Sequence, residues 1–520
     1  MKNQAKIKIL SLTAIIPLSI ASVLSILLIV GIHLFHEEAY YFLPSIRIVY
    51  LYLALLYVLI VIMSGFITAK IKTEVLRLMI VFFIALLPRS LIILLFRGQI
   101  HPFSDFLWSW NVAQGAREGL SYAGHLPFPA YQVWSYFESL LAKFFPDNYE
   151  IILYVNAVID SLIAVCISKL SGLMMGDNRC SSIAGIFYSL FPSVILYCTI
   201  GTPDFSAIFM NLIGIIILIR GWKNKGVKHF ICIAVAGIVF GISSSFKSFS
   251  IVIILAYEIV GCVCNPHGNK KMIIICDGLI LLMSFFLVKR IILIIVSSWI
   301  GADLTKYSSG VIYHQLLVGL NTEGEGQIHL GTLSRGFWNT FLYNGYNSTV
   351  AGDYARKLLI DNWTTDISNV PSLFVQKIIW AWQDNLMPIH YFLNAMGVDG
   401  CIHHTIYEVI KHISPIVSQT MYAIMCISAA ISVIAECFYT EKNEAVHLIT
   451  FIVSGYFILL LIIEAQSRYK CLILPLLCIL SARSITRGID RMQKRNKRSD
   501  VSKNECGYSL KTHWKADCKF

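Results

Sequence analysis

The chain has 520 residues, 57% of them hydrophobic and only 14% charged, with a mean hydropathy of +0.69. Soluble proteins carry closer to a quarter charged residues, so a soluble globular domain is excluded. The net charge of +12 gathers in short loops and in a tail after Arg483, which fits inner-face loops and anionic lipid heads better than nucleic acid.

Apolar runs of about 20 residues are long enough to cross the hydrocarbon layer as helices. Stretches such as Leu10 to Val30 do not alternate polar with apolar, which excludes a spanning β-barrel. In chain order, spans are expected over 9–31, 47–67, 78–96, 150–172, 181–200, 203–220, 229–246, 248–264, 272–288, 412–436, 446–464 and 470–485. The fold class is therefore an all-α polytopic membrane protein of about 12 spans. The first run is too long for a signal-peptide core and is read as a retained span. The 14 cysteines show no zinc-spaced pair, and many sit inside apolar runs, where they serve as small hydrophobes.

Loop charge sets the expected topology. Lys2, Lys6 and Lys8 put the N-terminus in the cytoplasm, and alternation then places Glu37 and Glu38 outside and Lys70, Lys72 and Arg77 inside. Continued to the end, it puts Asp105, Asp204, Lys247, the segment 289–411 and Arg468 outside, and Arg179, Lys442 and the basic tail inside. The expected organisation is spans over 1–97, a first outer loop over 98–149, central spans over 150–299, and an outer helical cap over 300–411. Further spans over 412–486 and a cytoplasmic tail over 487–520 complete it. Within the first loop, Val133, Trp134, Phe137, Leu140, Leu141 and Phe144 recur at helical spacing after Pro129, so an amphipathic interface helix is expected, ended by Pro146.

Asp105 stands out, in Pro102-Phe103-Ser104-Asp105-Phe106-Leu107-Trp108. It reads either as the N-cap of a helix starting near Phe106 or as a general base partly desolvated by Phe103, Phe106 and Trp108. Asp204 reads as a cap or as a carboxylate orienting substrate. Asp160, Glu258 and Asp277 lie within expected spans, where carboxylates are functional candidates. Arg468 and Lys470, with Tyr469 between them, break the positive-inside preference and suit phosphate recognition, as do Lys247, Lys289 and Arg290. His404, Glu408 and His412 fall on one helix face, and the sequence leaves a divalent cation open as a cofactor.

The run from Pro102 to Asp105, continued through Ala113 to Phe128-Pro129-Ala130-Tyr131-Gln132, resembles the first outer loop of bacterial family 39 glycosyltransferases of the GT-C fold. These are relatives of the protein O-mannosyltransferases and lipid A aminoarabinose transferases. Gly319-Leu320-Asn321 with Gly324 and Gly326, Lys377 to Trp382, and Gln466 to Lys470 fit more loosely. Here Phe106 follows Asp105, where some relatives carry a second acid.

The resemblance implies a GT-C-like bundle in the cytoplasmic membrane that moves a sugar from a polyprenyl-phosphate donor to an acceptor hydroxyl on the outer side. Inversion would occur with Asp105 as general base. Asp204, Lys247, Lys289, Arg290, Arg468, Tyr469, Lys470 and Tyr131 would bind substrate. The implied partners are the lipid-linked donor, a glycan, lipid or protein acceptor, and the bilayer. An O-antigen-ligase or polymerase-like enzyme, or a flippase or transporter of lipid-linked sugar, are the alternative readings.

Overall fold

The computed structural model describes residues 15–26, 44–117, 128–146, 148–264, 271–307, 311–322, 333–344, 347–384, 386–396, 403–438 and 443–494. Lys2, Lys6, Lys8, Glu37, Glu38, Gly324, Gly326, Lys442 and the tail after 494 lie outside them. The described residues form helices and turns and no strand, so the protein is an all-α polytopic membrane protein. Eight helices are long and apolar enough to cross a membrane, judged by length and composition.

The helices in order are α1 (Ile15–Ile26), α2 (Pro44–Ala69), α3 (Glu74–Leu95), α4 (Ser104–Arg117), α5 (Pro129–Ala142), α6 (Glu150–Met175), α7 (Asn178–Ser189), α8 (Pro192–Tyr197), α9 (Asp204–Trp222) and α10 (Val227–Phe246). After these come α11 (Ser250–Cys264), α12 (Lys271–Ile300), α13 (Leu304–Tyr307), α14 (Val311–Leu320), α15 (Leu333–Tyr343), α16 (Ser348–Thr365), α17 (Val370–Trp382), α18 (Met387–Met396), α19 (His404–Phe438) and α20 (Glu444–Ile462). A 3-10 turn (Ser467–Leu472) leads into α21 over 474–494. One group packs α3 on α6 and α7, with α2 on α7; another packs α10 between α9 and α12, and α11 lies on α20. Helices α14, α15 and α16 form a small separate core of Leu317, Phe337, Phe341, Ala351 and Ala355.

Of the twelve expected spans, 9–31 is described only in part, 272–288 continues to Ile300 within α12, and three others change form. The 181–200 run breaks into α7 and α8 because Pro192 cannot donate to an α7 carbonyl. The carbonyls left at that break are met by Arg89, which reaches Ser189 O at 2.8 Å, and by the Tyr57 hydroxyl, which reaches Leu190 O at 2.7 Å. The 248–264 run is the 15-residue α11, short of a full crossing. The 470–485 run opens as a 3-10 turn and continues as α21, whose Arg483 pairs with Glu436 and whose Asp490 pairs with Arg179 at 2.7 Å.

The expected outer segment does not begin at 289. Lys289 and Arg290 lie inside α12, because the apolar run resumes at Ile291 and two cations do not end a 30-residue helix. The amphipathic helix is found as α5, but its polar side faces inward. Gln132, Ser135, Glu138 and Ser139 are buried, while Leu140 and Phe144 point out. Two of the three carboxylates expected within spans have structural partners: Asp160 pairs with Arg89 at 2.6 Å, and Asp277 meets His229 Nε2 at 2.9 Å, whereas the buried Oε1 of Glu258 has no hydrogen-bond partner among the described residues.

Candidate functional site

Asp105, Asp204, Lys247 and Arg468 converge at one end of the bundle, around a group of tyrosines. Asp105 sits in the first turn of α4, and its Oδ2 accepts from the Tyr131 hydroxyl at 2.8 Å. The helix already begins at Ser104, so Asp105 lies within its first turn and does not stand at the N-cap position. Ser104, just before it, has φ of +49°, a left-handed backbone that non-glycine residues seldom adopt and that turns the chain sharply into α4. The loop before it is pinned where His101 N–H donates to Ala395 O at 2.9 Å. The Phe103 and Phe106 rings both pack on Tyr391, at 5.5 and 5.8 Å.

Arg468 packs on Tyr391 as well. Its guanidinium sits 5.2 Å from the centres of the Tyr391 and Tyr469 rings. It is only 7% exposed and its Nε has no hydrogen-bond partner. Among the described residues no carboxylate forms an ion pair with it. Burying an arginine with no carboxylate in contact is expensive, and two cation–π contacts and the longer-range attraction of Asp204 offset only part of the cost.

Asp204 is 1% exposed. Its Oδ1 lies 3.1 Å from Lys247 Nζ, and its Oδ2 accepts from the Tyr197 hydroxyl at 2.6 Å. It too is held by side chains and caps no amide. Lys247 Nζ lies 5.0 Å from the centre of the Tyr469 ring, whose hydroxyl donates to Glu464 at 2.7 Å. Burial, reinforced by the Asp105 carboxylate, pushes the Tyr131 phenol well above its usual range, and burial raises Tyr391. These tyrosines therefore remain proton donors throughout the physiological range.

Three expected site residues stand elsewhere. Lys470 Nζ is spent on the carbonyls of Ala381 and Asp384 at the end of α17 and lies over the Tyr422 ring. Lys289 and Arg290 stay on α12, with Lys289 over its own helix's Phe285 ring. Lys377 repeats the pattern of Lys470, donating to Gly319 O and Ile463 O where α14 meets the end of α20. Burial pulls these two ammonium groups down, Lys377 to about 7 and Lys470 to about 8. Gly319 is required at that junction, because a Cβ there would collide with the Ile462 and Ile463 backbone. The stretches at 319–321, 377–382 and 466–470 thus meet as a clasp behind the site.

His314, on α14, is packed against Phe337 with ring centres 4.6 Å apart, and burial pushes its pKa down to about 4. Among the described residues, no group of three or more His, Cys, Asp or Glu could hold a metal ion. His412 and Glu408 instead pair with each other at 2.9 Å. Tyr197, Tyr391 and Glu464 were not legible as site residues. Tyr197 and Glu464 lie a few residues from Asp204 and Arg468, but Tyr391, on α18, carries no local signal.

The site thus belongs to a polytopic membrane protein with a half-buried carboxylate and a buried, unpaired guanidinium gathered around tyrosines. No family model matches the chain, and no curated protein matches it. Among solved structures it is similar to the Archaeoglobus fulgidus oligosaccharyltransferase in the apo form, with 11% identity over 83% of this chain and a TM-score of 0.45. It is similar also to that protein in complex with Zn and sulfate, with 14% identity over 80% of this chain and a TM-score of 0.43. This chain spans about half the length of those structures, 52% and 50% respectively.

Proposed function

We propose that this protein is an integral-membrane glycosyltransferase of the GT-C type, moving a sugar from a polyprenyl-phosphate donor to an acceptor hydroxyl at the outer face of the cytoplasmic membrane. The observation that carries the reading is the buried Arg468 guanidinium, with no carboxylate in ion-pair contact, packed on the same Tyr391 ring as the Phe103 and Phe106 side chains that flank the half-buried Asp105. An anionic phosphate would compensate that charge, and a carboxylate beside it can take a proton.

In this mechanism Asp105 removes the proton of the acceptor hydroxyl while Tyr131 holds its Oδ2 in place. The acceptor oxygen attacks the anomeric carbon, and the carbon–oxygen bond to phosphate breaks with its electron pair leaving on the phosphate. The anomeric centre inverts. Phosphate is a good leaving group, so no general acid is required. Arg468 and Lys247 lower the energy of the charge developing on it. Asp204, itself held by the Tyr197 hydroxyl, pairs with Lys247, which leaves Arg468 as the cation with the most charge to offer.

The test is mass spectrometry of cell-envelope glycans and glycolipids in cells lacking the gene and complemented with wild type or Asp105→Asn. We expect a glycan feature that disappears with the gene, returns with wild type and stays absent with Asp105→Asn present in membranes at the normal level. Restoration by the Asn variant would remove Asp105 as the base.

A further inference from the structure

The pairing of α4 with α5 contains a second polar contact below the Asp105–Tyr131 bond. Ser109 Oγ lies 3.0 Å from Ser135 Oγ and donates to Glu138 Oε2 at 2.6 Å. Asp105 and Ser109 are four residues apart on α4, and Tyr131 and Ser135 four apart on α5, so each pair shares one helix face. The two contacts join residues with the same offset of 26, which means the helices run in the same direction and in one register. A slip of one turn would part Asp105 from Tyr131 and Ser109 from Ser135 together.

Glu138 is the anchor of the second contact. It is fully buried, at 0% exposure, and its Oε1 has no hydrogen-bond partner. From α4 it meets Ser109, from its own helix Trp134, and from the segment entering α6 it influences the Tyr149 phenol. Helices α10 and α12 also pack on α5, yet neither Lys247 at the end of α10 nor Lys289 or Arg290 of α12 pairs with it among the described residues. The surrounding residues lead to the turn that carries Asp204. The Trp134 indole N–H donates to Gly201 O at 3.2 Å, and Gly201 N–H donates to Tyr149 Oη at 2.9 Å. A Cβ at Gly201 would sit 2.6 Å from that oxygen.

We infer that Glu138 is a positioning residue, the buried acid that locks α4, α5 and the Gly201–Asp204 turn so that Asp105 and Asp204 face the same site. The inference rests on the reading of Asp105 given above and extends it. An anionic Glu138 would be uncompensated, whereas a protonated one accepts from Ser109 through one oxygen and keeps its own proton on the other. Burial pushes the Glu138 carboxyl up to about 8, so the acid is neutral at neutral pH. This carboxyl keeps a proton that the unfolded chain releases above the ordinary carboxylate range. Its contribution to stability is therefore full at low pH and is lost progressively as pH rises to about 8, beyond which it is flat.

The test uses full-length protein purified in detergent, as wild type, Glu138→Gln and Glu138→Leu, and reads the melting temperature against pH. The expected result is that the advantage of Glu138→Gln over wild type grows from about pH 5 and levels off near about pH 8. In complemented cells, Glu138→Leu should lower the gene-dependent glycan signal roughly tenfold, and Glu138→Gln, which keeps an acceptor for Ser109, should restore it. Parallel melting curves for wild type and Glu138→Gln, or full glycan signal with Glu138→Leu, would overturn the inference. The melting arm needs no transfer assay. A widening gap in a protein without any gene-dependent glycan would support the Glu138 lock while removing the proposed reaction. Parallel curves in a protein silenced by Asp105→Asn would remove Glu138 and keep the reaction.

Discussion

Arg468→Leu separates an anion site from an ordinary buried cation. The guanidinium is 7% exposed, lacks a carboxylate partner and rests on two tyrosine rings 5.2 Å from its centre. Leaving such a charge uncompensated in a protein interior costs several kcal/mol. Each cation–π contact returns about 1–2 kcal/mol. Leucine removes both terms and keeps an apolar side chain between the rings, so the unliganded protein should gain about 1–2 kcal/mol. Binding moves the other way. A guanidinium that forks two bonds to a phosphate supplies about 1.5–3 kcal/mol per charge-assisted bond. Its loss should weaken a phosphate ligand by roughly 100-fold or more. The assay is thermal unfolding of wild type and Arg468→Leu in detergent, with and without a short-chain polyprenyl phosphate. Expected are a higher melting temperature for the unliganded variant and loss of the ligand-induced rise that wild type shows. A variant that melts lower without ligand and still responds fully to polyprenyl phosphate would refute the reasoning, because Arg468 would then be a packed structural cation.

Two further outcomes follow from the same geometry. Tyr131→Phe keeps the ring but deletes the donor at 2.8 Å from Asp105, and should cut the gene-dependent glycan signal about 10-fold or more with the melting temperature nearly unchanged. Lys470→Met strands the Ala381 and Asp384 carbonyls at the end of α17, and should destabilise the protein by about 2–4 kcal/mol in thermal unfolding while leaving polyprenyl-phosphate affinity within about twofold.

Hydropathy alone was enough to make this a polytopic helical protein, because a chain crossing hydrocarbon must satisfy its backbone within each span, and long apolar runs show that directly. Asp105, Asp204, Lys247 and Arg468 were legible for a related reason. A charge at the end of an apolar run is costly, so its position stands out without any knowledge of its partners. Loop charge led to the expectation that they share one side, and in the structure contacts through tyrosines link them. What misled was local. Lys470 and Arg468 occupy the same short turn and look alike in sequence, yet one ammonium closes the end of α17 and the other cation faces the tyrosines. Lys289 and Arg290 mimic a helix end because charge density alone does not reveal that α12 continues through them. Glu138 carries no signal in the sequence that marks it as buried, and it is the docking of α4 that turns its side of α5 inward.

The sequence by itself determined the class of molecule, the positions of most of its long apolar helices, and the costly charges. Those properties belong to single segments, each balanced against lipid or water independently of the rest. Only the tertiary structure decided which charges are paired. Pairing depends on atoms brought within about 3 Å from residues that are separate in sequence, as when Tyr197 and Lys247 contact Asp204 and leave Arg468 among its tyrosines without an ion pair.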